Sequence, residues 1–301
     1  MFEATLAFQA LINGASVALV YILVALGLTL IFSIMGIINF AHGEFYMLGG
    51  FAAYYLAQVA GMNYIAMLAV TFLAVCAFGF CLERLLFEPL RAQPLSGFIA
   101  SLGLLLVLQA GVSILFGVTD KRVDSPFPGI LHGYGLVISR ERLFVMLASA
   151  VLIALLYCFL RWSKQGLALR AAAQEWEAAA VLGINVNRIS GLAFGMGCAL
   201  AAAAGALLAP VFYVTPTMGA QPLVKAFIIV IIGGMGSLPG AVAGGALLGL
   251  VESIGPMFFS AATVDLLGFG AIVVLLLVRP TGLVKSRRGP ARRGPSSPSC
   301  C

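Results

Sequence analysis

The stretch PLVKAFIIVIIGGMGSLPGAVAGGALLGLVESI, residues 222–254, decides how this chain folds. It is apolar over 33 residues and is interrupted at its middle by Gly233-Gly234-Met-Gly236-Ser237-Leu-Pro239-Gly240. A helix crosses the hydrocarbon core of a bilayer in about 20 residues. The stretch is too long for one straight span, and its glycines and proline predict two short helices meeting at the break. Helix ends exposed in this way persist at membrane depth only against protein or a watery cavity, because unpaired N–H and C=O groups are costly in hydrocarbon.

Working outward, the rest of the chain is of the same kind. Of 301 residues, 62% are hydrophobic and 9% charged, against about 25% charged in a soluble domain. Further apolar stretches cover 8–34, 40–60, 62–82, 96–117, 143–160, 189–213 and 262–278. Their continuity excludes a barrel, whose strands would be short and alternating. The first is too long and too poor in basic residues for a cleaved leader and reads as a retained span. The expected fold is all-α: a polytopic helical membrane protein with about eight membrane segments, some broken or re-entrant. Residues 1–284 form one membrane domain. Residues 285–301, with five basic residues among Gly, Pro and Ser, are expected to be a disordered tail drawn to anionic lipid. That tail supplies most of the net charge of +6, so no nucleic-acid partner is implied.

Basic residues in short loops mark the cytoplasmic side. Arg84 and Arg91 mark one such loop, Arg161, Lys164, Arg170 and Arg188 a second, and the run from Arg279 to Arg293 the C-terminus. The mixed-charge segment 117–143 falls outside by parity, and Pro126, Pro128, Gly129, Gly133 and Gly135 predict an irregular loop with a short hairpin. Parity also requires the stretch at 222–254 to cross twice or not at all. A second break lies at Gly36–Gly50, where Asn39, His42, Gly43 and Glu44 interrupt apolar sequence, which suggests a weak internal repeat. The N-terminus lies outside if 40–60 crosses fully and inside if that segment re-enters.

Between two spans, Arg161–Arg188 holds an Ala-rich run bracketed by Gly166 and Gly183. Alanine is the best helix former, so a helix of about 16 residues and about 24 Å is expected. Its small side chains allow close approach, and Arg170, Glu175 and Glu177 provide polar register. This is read as a docking element in preference to a solvated connector, because a helix of that length between spans has no other packing purpose. For Asn39, His42 and Glu44 two readings stand open: a functional group inside the membrane, or interfacial residues with Glu44 near a helix N-terminus. Glu252 and Asp265 are read as interfacial. Gly236, Gly240 and Gly244, and separately Gly245 and Gly249, recur every four residues and permit either close helix packing or a pore lining. Cys76, Cys81, Cys158 and Cys198 read as small apolar fillers; Cys300 and Cys301 are open to lipidation or are inert. His42 and His132 are far apart, and no Cys/His cluster has metal-ligand spacing. The chain has no Gly-Lys pair for a phosphate loop and no His-Glu-x-x-His, so neither its own ATP hydrolysis nor a cofactor is expected.

Three motifs in order, Gly36-Ile-Ile-Asn39-Phe-Ala-His42-Gly43-Glu44, Leu182-Gly183-Ile-Asn185, and Lys225-Ala-Phe with Gly233 to Gly240, give the chain a resemblance over about residues 8–284. It resembles the branched-chain amino-acid permeases of bacterial ABC importers, of the H-subunit (LivH-like) type. The resemblance implies a multi-pass inner-membrane protein with a cytoplasmic C-terminus, without its own ATPase site. It also implies a homologous second permease, two ATP-binding cassette subunits and a periplasmic substrate-binding protein as partners. The segment with Gly166, Arg170, Glu175, Ala179, Gly183 and Asn185 would dock an ATPase. Asn39, His42, Gly43 and Glu44, with Gly233, Gly234, Gly236, Ser237, Pro239 and Gly240, would line or gate the pathway. A urea or short-chain amide importer is the neighbouring alternative. An ion-driven carrier would have no use for a docking helix, and an intramembrane enzyme would need paired groups, whereas His42 and Glu44 are two residues apart and point to different sides of a helix.

Overall fold

A computed structural model describes residues 2–91, 93–133, 136–260, 262–264, 266–268, 270 and 277. The expected span at 262–278 lies mostly outside these residues, as do Asp265, the tail from 285 to 301 and its two cysteines.

The helices follow the apolar stretches. They are α1 (Phe2–Met35), α2 (His42–Ala52), α3 (Tyr64–Leu82), α4 (Pro94–Phe116), α5 (Arg140–Trp162), α6 (Lys164–Gln174), α7 (Trp176–Val181), α8 (Val186–Leu208), α9 (Ala220–Gly233) and α10 (Leu238–Ile254). Wider π-helical turns continue α2 over Ala53–Val59 and α3 over Glu83–Phe87. Among the described residues six helices are long and apolar enough to cross a membrane: Gln9–Met35, Tyr64–Leu90, Leu95–Phe116, Arg140–Trp162, Val186–Leu208 and Leu238–Met257. The stretch at 222–233 falls in the shorter α9, and the stretch at 40–60 forms one continuous helix over 42–59, α2 with its π-helical turns, whose start carries the polar His42 and Glu44.

The core is built around α8. Ala193, Phe194, Cys198, Ala199, Ala201, Ala202 and Ala204 are fully buried along it. In lipid, helices gain little from hydrophobic exclusion and associate through close van der Waals packing, which small residues permit. The Ala/Gly composition of α8 serves that end on three sides. Gly197 faces the carbonyl of Gly27 on α1, Gly205 that of Tyr46 on α2, and Gly195 that of Cys76 on α3; a Cβ at any of them would collide. The phenol of Tyr64 donates to the carbonyl of Ala206, pinning the start of α3 to the end of α8.

The segment before α5 contains the expected hairpin: β1 (Ile130–Gly133) and β2 (Leu136–Ser139) pair antiparallel, with Leu131 opposite Ile138. Gln9 clasps it, donating through Nε2 to the Val137 carbonyl at 2.7 Å and accepting from the Val137 amide at 3.0 Å. Lys121 and Val214 exchange two backbone hydrogen bonds, so the loop after α4 and the loop after α8 lie at the same end of the bundle.

The single Ala-rich helix expected between Gly166 and Gly183 is corrected. Two short helices, α6 and α7, meet at Glu175, whose backbone is extended (φ −154°, ψ 104°). Helix propensity is a weak preference that tertiary packing overrides, and the break lets both halves rest on the bundle. Gly166 sits against Phe159 and Leu160 of α5, and Leu169, Ala172 and Ala179 are buried.

Candidate functional site

The first break follows α1. Gly36 takes a left-handed φ of +67°, and Asn39 then turns the chain into α2 by accepting the Ala41 amide at 3.1 Å through its side-chain carbonyl. The Phe40 amide donates to the Ser101 hydroxyl of α4 at 3.2 Å, tying the break to a neighbouring span. Asn39, His42 and Glu44 are buried against the protein, with exposures of 1%, 0% and 4%. His42 donates from Nε2 to the Val24 carbonyl of α1 at 3.0 Å. Asn39 Nδ2, His42 Nδ1 and Glu44 Oε2 have no hydrogen-bond partner among the described residues. Such groups are costly to bury, and in a native fold each calls for a reason. Glu44, in the first turn of α2, gains from the positive end of the helix dipole.

The second break lies between α9 and α10. Gly234 and Gly236 take left-handed φ values of +98° and +84°, and Ser237 caps α10 by accepting the Gly240 amide at 3.1 Å, with Pro239 in the first turn. Gly233 and Gly240 face one another so closely that a side chain on either would strike the other's carbonyl. The glycine rows of α10 are packing surfaces: Gly244 lies against the Ile229 carbonyl of α9, Gly245 against Ile22 and Gly249 against Ala18 of α1. The entry to α9 meets the first break, since Gly219, just before α9, touches Gly43 of α2, backbone to backbone.

Sequence reasoning missed the ion pair between Lys225 of α9 and Glu252 of α10, with side-chain exposures of 11% and 20%. Glu252 is thus the partner of a basic residue on the neighbouring helix. Opposite charges in one apolar stretch that folds back on itself were the available signal.

The segment joining α5 to α8 is capped at each joint. The Ser163 hydroxyl accepts the Gly166 amide at 2.8 Å, and Asn185 Oδ1 accepts the Arg188 amide at 3.0 Å. The end of α7 closes in a Schellman turn: Gly183 (φ +83°) donates to the Ala180 carbonyl at 3.0 Å and Ile184 to the Ala179 carbonyl at 3.1 Å. Of the residues singled out here, Arg170, Glu175, Gly183 and Asn185 are exposed, whereas Gly166 and Ala179 are buried against the bundle. Large apolar side chains stand out on this segment, with Val181 88% and Leu182 80% exposed and Trp162 and Trp176 also open. Arg170 shares a cavity of about 440 Å³ with Leu26, Leu160, Leu238 and Pro239, so the segment and the second break border one space.

A further polar cluster was invisible in sequence, where Arg84 and Arg91 served only as topology markers. Arg91 pairs with buried Glu83 and donates to Asn187 Oδ1 at 2.7 Å, and Asn187 donates to Glu88 at 2.6 Å. Among the described residues, no group of three or more His, Cys, Asp or Glu side chains could hold a metal ion.

With this geometry in view, similarity to known proteins is extensive. A family model described as branched-chain amino acid transport system / permease component matches residues 10–277. The chain is 35% identical over 291 residues to the high-affinity branched-chain amino acid transport system permease protein BraD of Pseudomonas aeruginosa, covering 92% of this chain and 95% of BraD. It is 33% identical over 292 residues to the corresponding permease LivH of Escherichia coli K12, covering 92% and 94%. To LivM, another high-affinity branched-chain permease of the same organism, it is 28% identical over 306 residues, covering 92% of this chain and 70% of LivM.

Proposed function

The chain belongs to the family of branched-chain amino acid transport system permease components, and from that premise we propose that it is the membrane-spanning permease of an importer that carries branched-chain amino acids and is driven by separate ATP-binding cassette subunits. The observation that carries the reading is sequence identity to BraD sustained over nearly the whole of both chains. The relatives are transport permeases, not enzymes, and this chain is a multi-pass membrane protein with, among the described residues, six apolar helices long enough to span. The working location is the bacterial inner membrane with the C-terminus in the cytoplasm.

The partners are two ATPase subunits, a homologous second permease, for which LivM beside LivH in one organism is the precedent, and a periplasmic substrate-binding protein. The ATPase takes hold of the α6–α7 segment. Exposed Val181 and Leu182 are costly to leave in water beside Arg170, Glu175 and Asn185, and such a patch marks an interaction surface. Gly166 and Ala179 act beneath it, where only small residues let the two helices seat on the bundle. Movement of the segment reaches the second break across the cavity that Arg170 shares with Leu238 and Pro239. Gly233, Gly234, Gly236, Ser237 and Gly240 give that break its tight turn, and Asn39, His42, Gly43 and Glu44 form the opposing one. Alternation between outward and inward access is then a change in how the two broken segments pack. A lining with few charges suits a zwitterion with an aliphatic side chain.

The test is uptake of labelled leucine into vesicles holding this chain with its second permease, ATPase subunits and binding protein. ATP-dependent accumulation is expected. Copurification without an ATPase, or accumulation driven by an ion gradient alone, would overturn the reading. Accumulation of urea or a short amide in place of leucine would reassign the solute.

A further inference from the structure

The α6–α7 segment packs chiefly on α5, α8 and α1, so a pull on it needs a route through α8 to reach α3, which lies along α8 for most of its length. The polar cluster at the start of α8 supplies one. Asn185 caps α8, and two residues on, the Asn187 carboxamide stands between two partners from the connection that follows α3: its oxygen accepts from Arg91 Nη1 at 2.7 Å and its nitrogen donates to Glu88 at 2.6 Å. The other arm of the Arg91 guanidinium pairs with Glu83, which is 1% exposed at the inner end of α3. Gly191, one turn further along α8, lies so close to Phe80 and Glu83 that no side chain fits between.

We propose that Arg91 and Asn187 are positioning residues of transport, joining the end of the docking segment to α3 so that α3 and α8 are displaced as one body. This rests on the docking reading above. Hydrogen bonds to ionised groups are the strong ones, and here they run unbroken from Glu83 through Arg91 and Asn187 to Glu88. The two arms of the guanidinium matter separately. Its pairing with Glu83 neutralises a buried carboxylate, which is a matter of stability; its bond to Asn187 is the link to the docking segment. Lysine, a point charge without the planar fork, can do the first but not both.

The test uses the assembled complex in vesicles and reads leucine accumulated per ATP hydrolysed, a ratio that a merely structural role would leave alone. Asn187→Leu and Arg91→Lys are each expected to assemble with the ATPase subunits in unchanged stoichiometry and to hydrolyse ATP. The transport ratio is expected to fall roughly twofold to thirtyfold, the span for residues that couple distant sites. An unchanged ratio in both variants overturns the proposal, as does loss of the ATPase subunits from either, which would make the cluster an assembly contact. Should the unaltered chain fail to retain an ATPase, the docking reading falls and this inference with it.

Discussion

Gly43 and Gly219 abut backbone to backbone: a Cβ built on either would strike the carbonyl of the other. Gly43 lies in the first turn of α2 and Gly219 caps α9, so these two helices meet start to start inside the bundle. Gly219→Ala is expected to lower stability by about 1–3 kcal/mol through overpacking, and to reduce leucine uptake. The matched control is Gly103→Ala on α4, where nothing lies within 4 Å and alanine should add up to about 1 kcal/mol of helix propensity. Thermal unfolding of the purified chain reads both. Equal melting temperatures for the two variants would show that the contact between the two helix starts carries no strain.

For the Lys225–Glu252 pair, removing one partner and removing both are expected to differ. Removing one partner of a largely buried ion pair strands the other, at about 3–5 kcal/mol, whereas replacing both with apolar residues of similar volume is often neutral. Lys225→Met alone should therefore destabilise the α9–α10 packing, and Lys225→Met with Glu252→Leu should recover most of the loss. If the double variant melts no higher than the single one, the pair is not the source of the effect. Uptake measured on the recovered double variant then shows whether the charges serve transport beyond stability.

On the docking segment, burial separates two kinds of substitution. Leu182→Asp changes an exposed side chain and should leave unfolding within about 0.5 kcal/mol, while ATPase copurification falls. Ala179→Leu, at a position 2% exposed, should instead unseat α7 and lower stability by about 1–3 kcal/mol. Retention of the ATPase by the Leu182 variant at wild-type level would move the docking surface elsewhere.

What could be read from sequence follows a physical division. Continuous apolar runs dictate helices in a bilayer, Gly233 to Gly240 with Pro239 dictates a break, and Pro and Gly before Arg140 dictate a turn; each of these is a local backbone property. The pairing of Arg91 with Asn187 joins residues 96 apart in the chain and has no local signature, whereas for Lys225 and Glu252 the only signal is a pair of opposite charges in one stretch that folds back on itself. Glu175 misled for a related reason. Its alanine-rich surroundings favour helix, but seating α6 and α7 on α5 and α8 outweighs that preference and the chain extends there. The glycine rows of α10 left packing and pore open until their partners on α1 and α9 were known.

Gly183 separates conformation from contact in the docking segment. Its φ of +83° closes α7, and nothing lies within 4 Å of the place a side chain would occupy, so a substitution there is opposed by the backbone alone. The left-handed conformation costs an ordinary L-residue roughly 1–2 kcal/mol, and asparagine bears it more readily than most. Gly183→Val should therefore loosen the turn, which amide exchange at Ile184 would register as faster, and reduce uptake per ATP. Gly183→Asn should leave exchange slow. If Gly183 acts only by shaping the turn, the asparagine variant transports normally. If the ATPase touches this position directly, the added side chain blocks transport while exchange at Ile184 stays slow, and the shaping role is refuted.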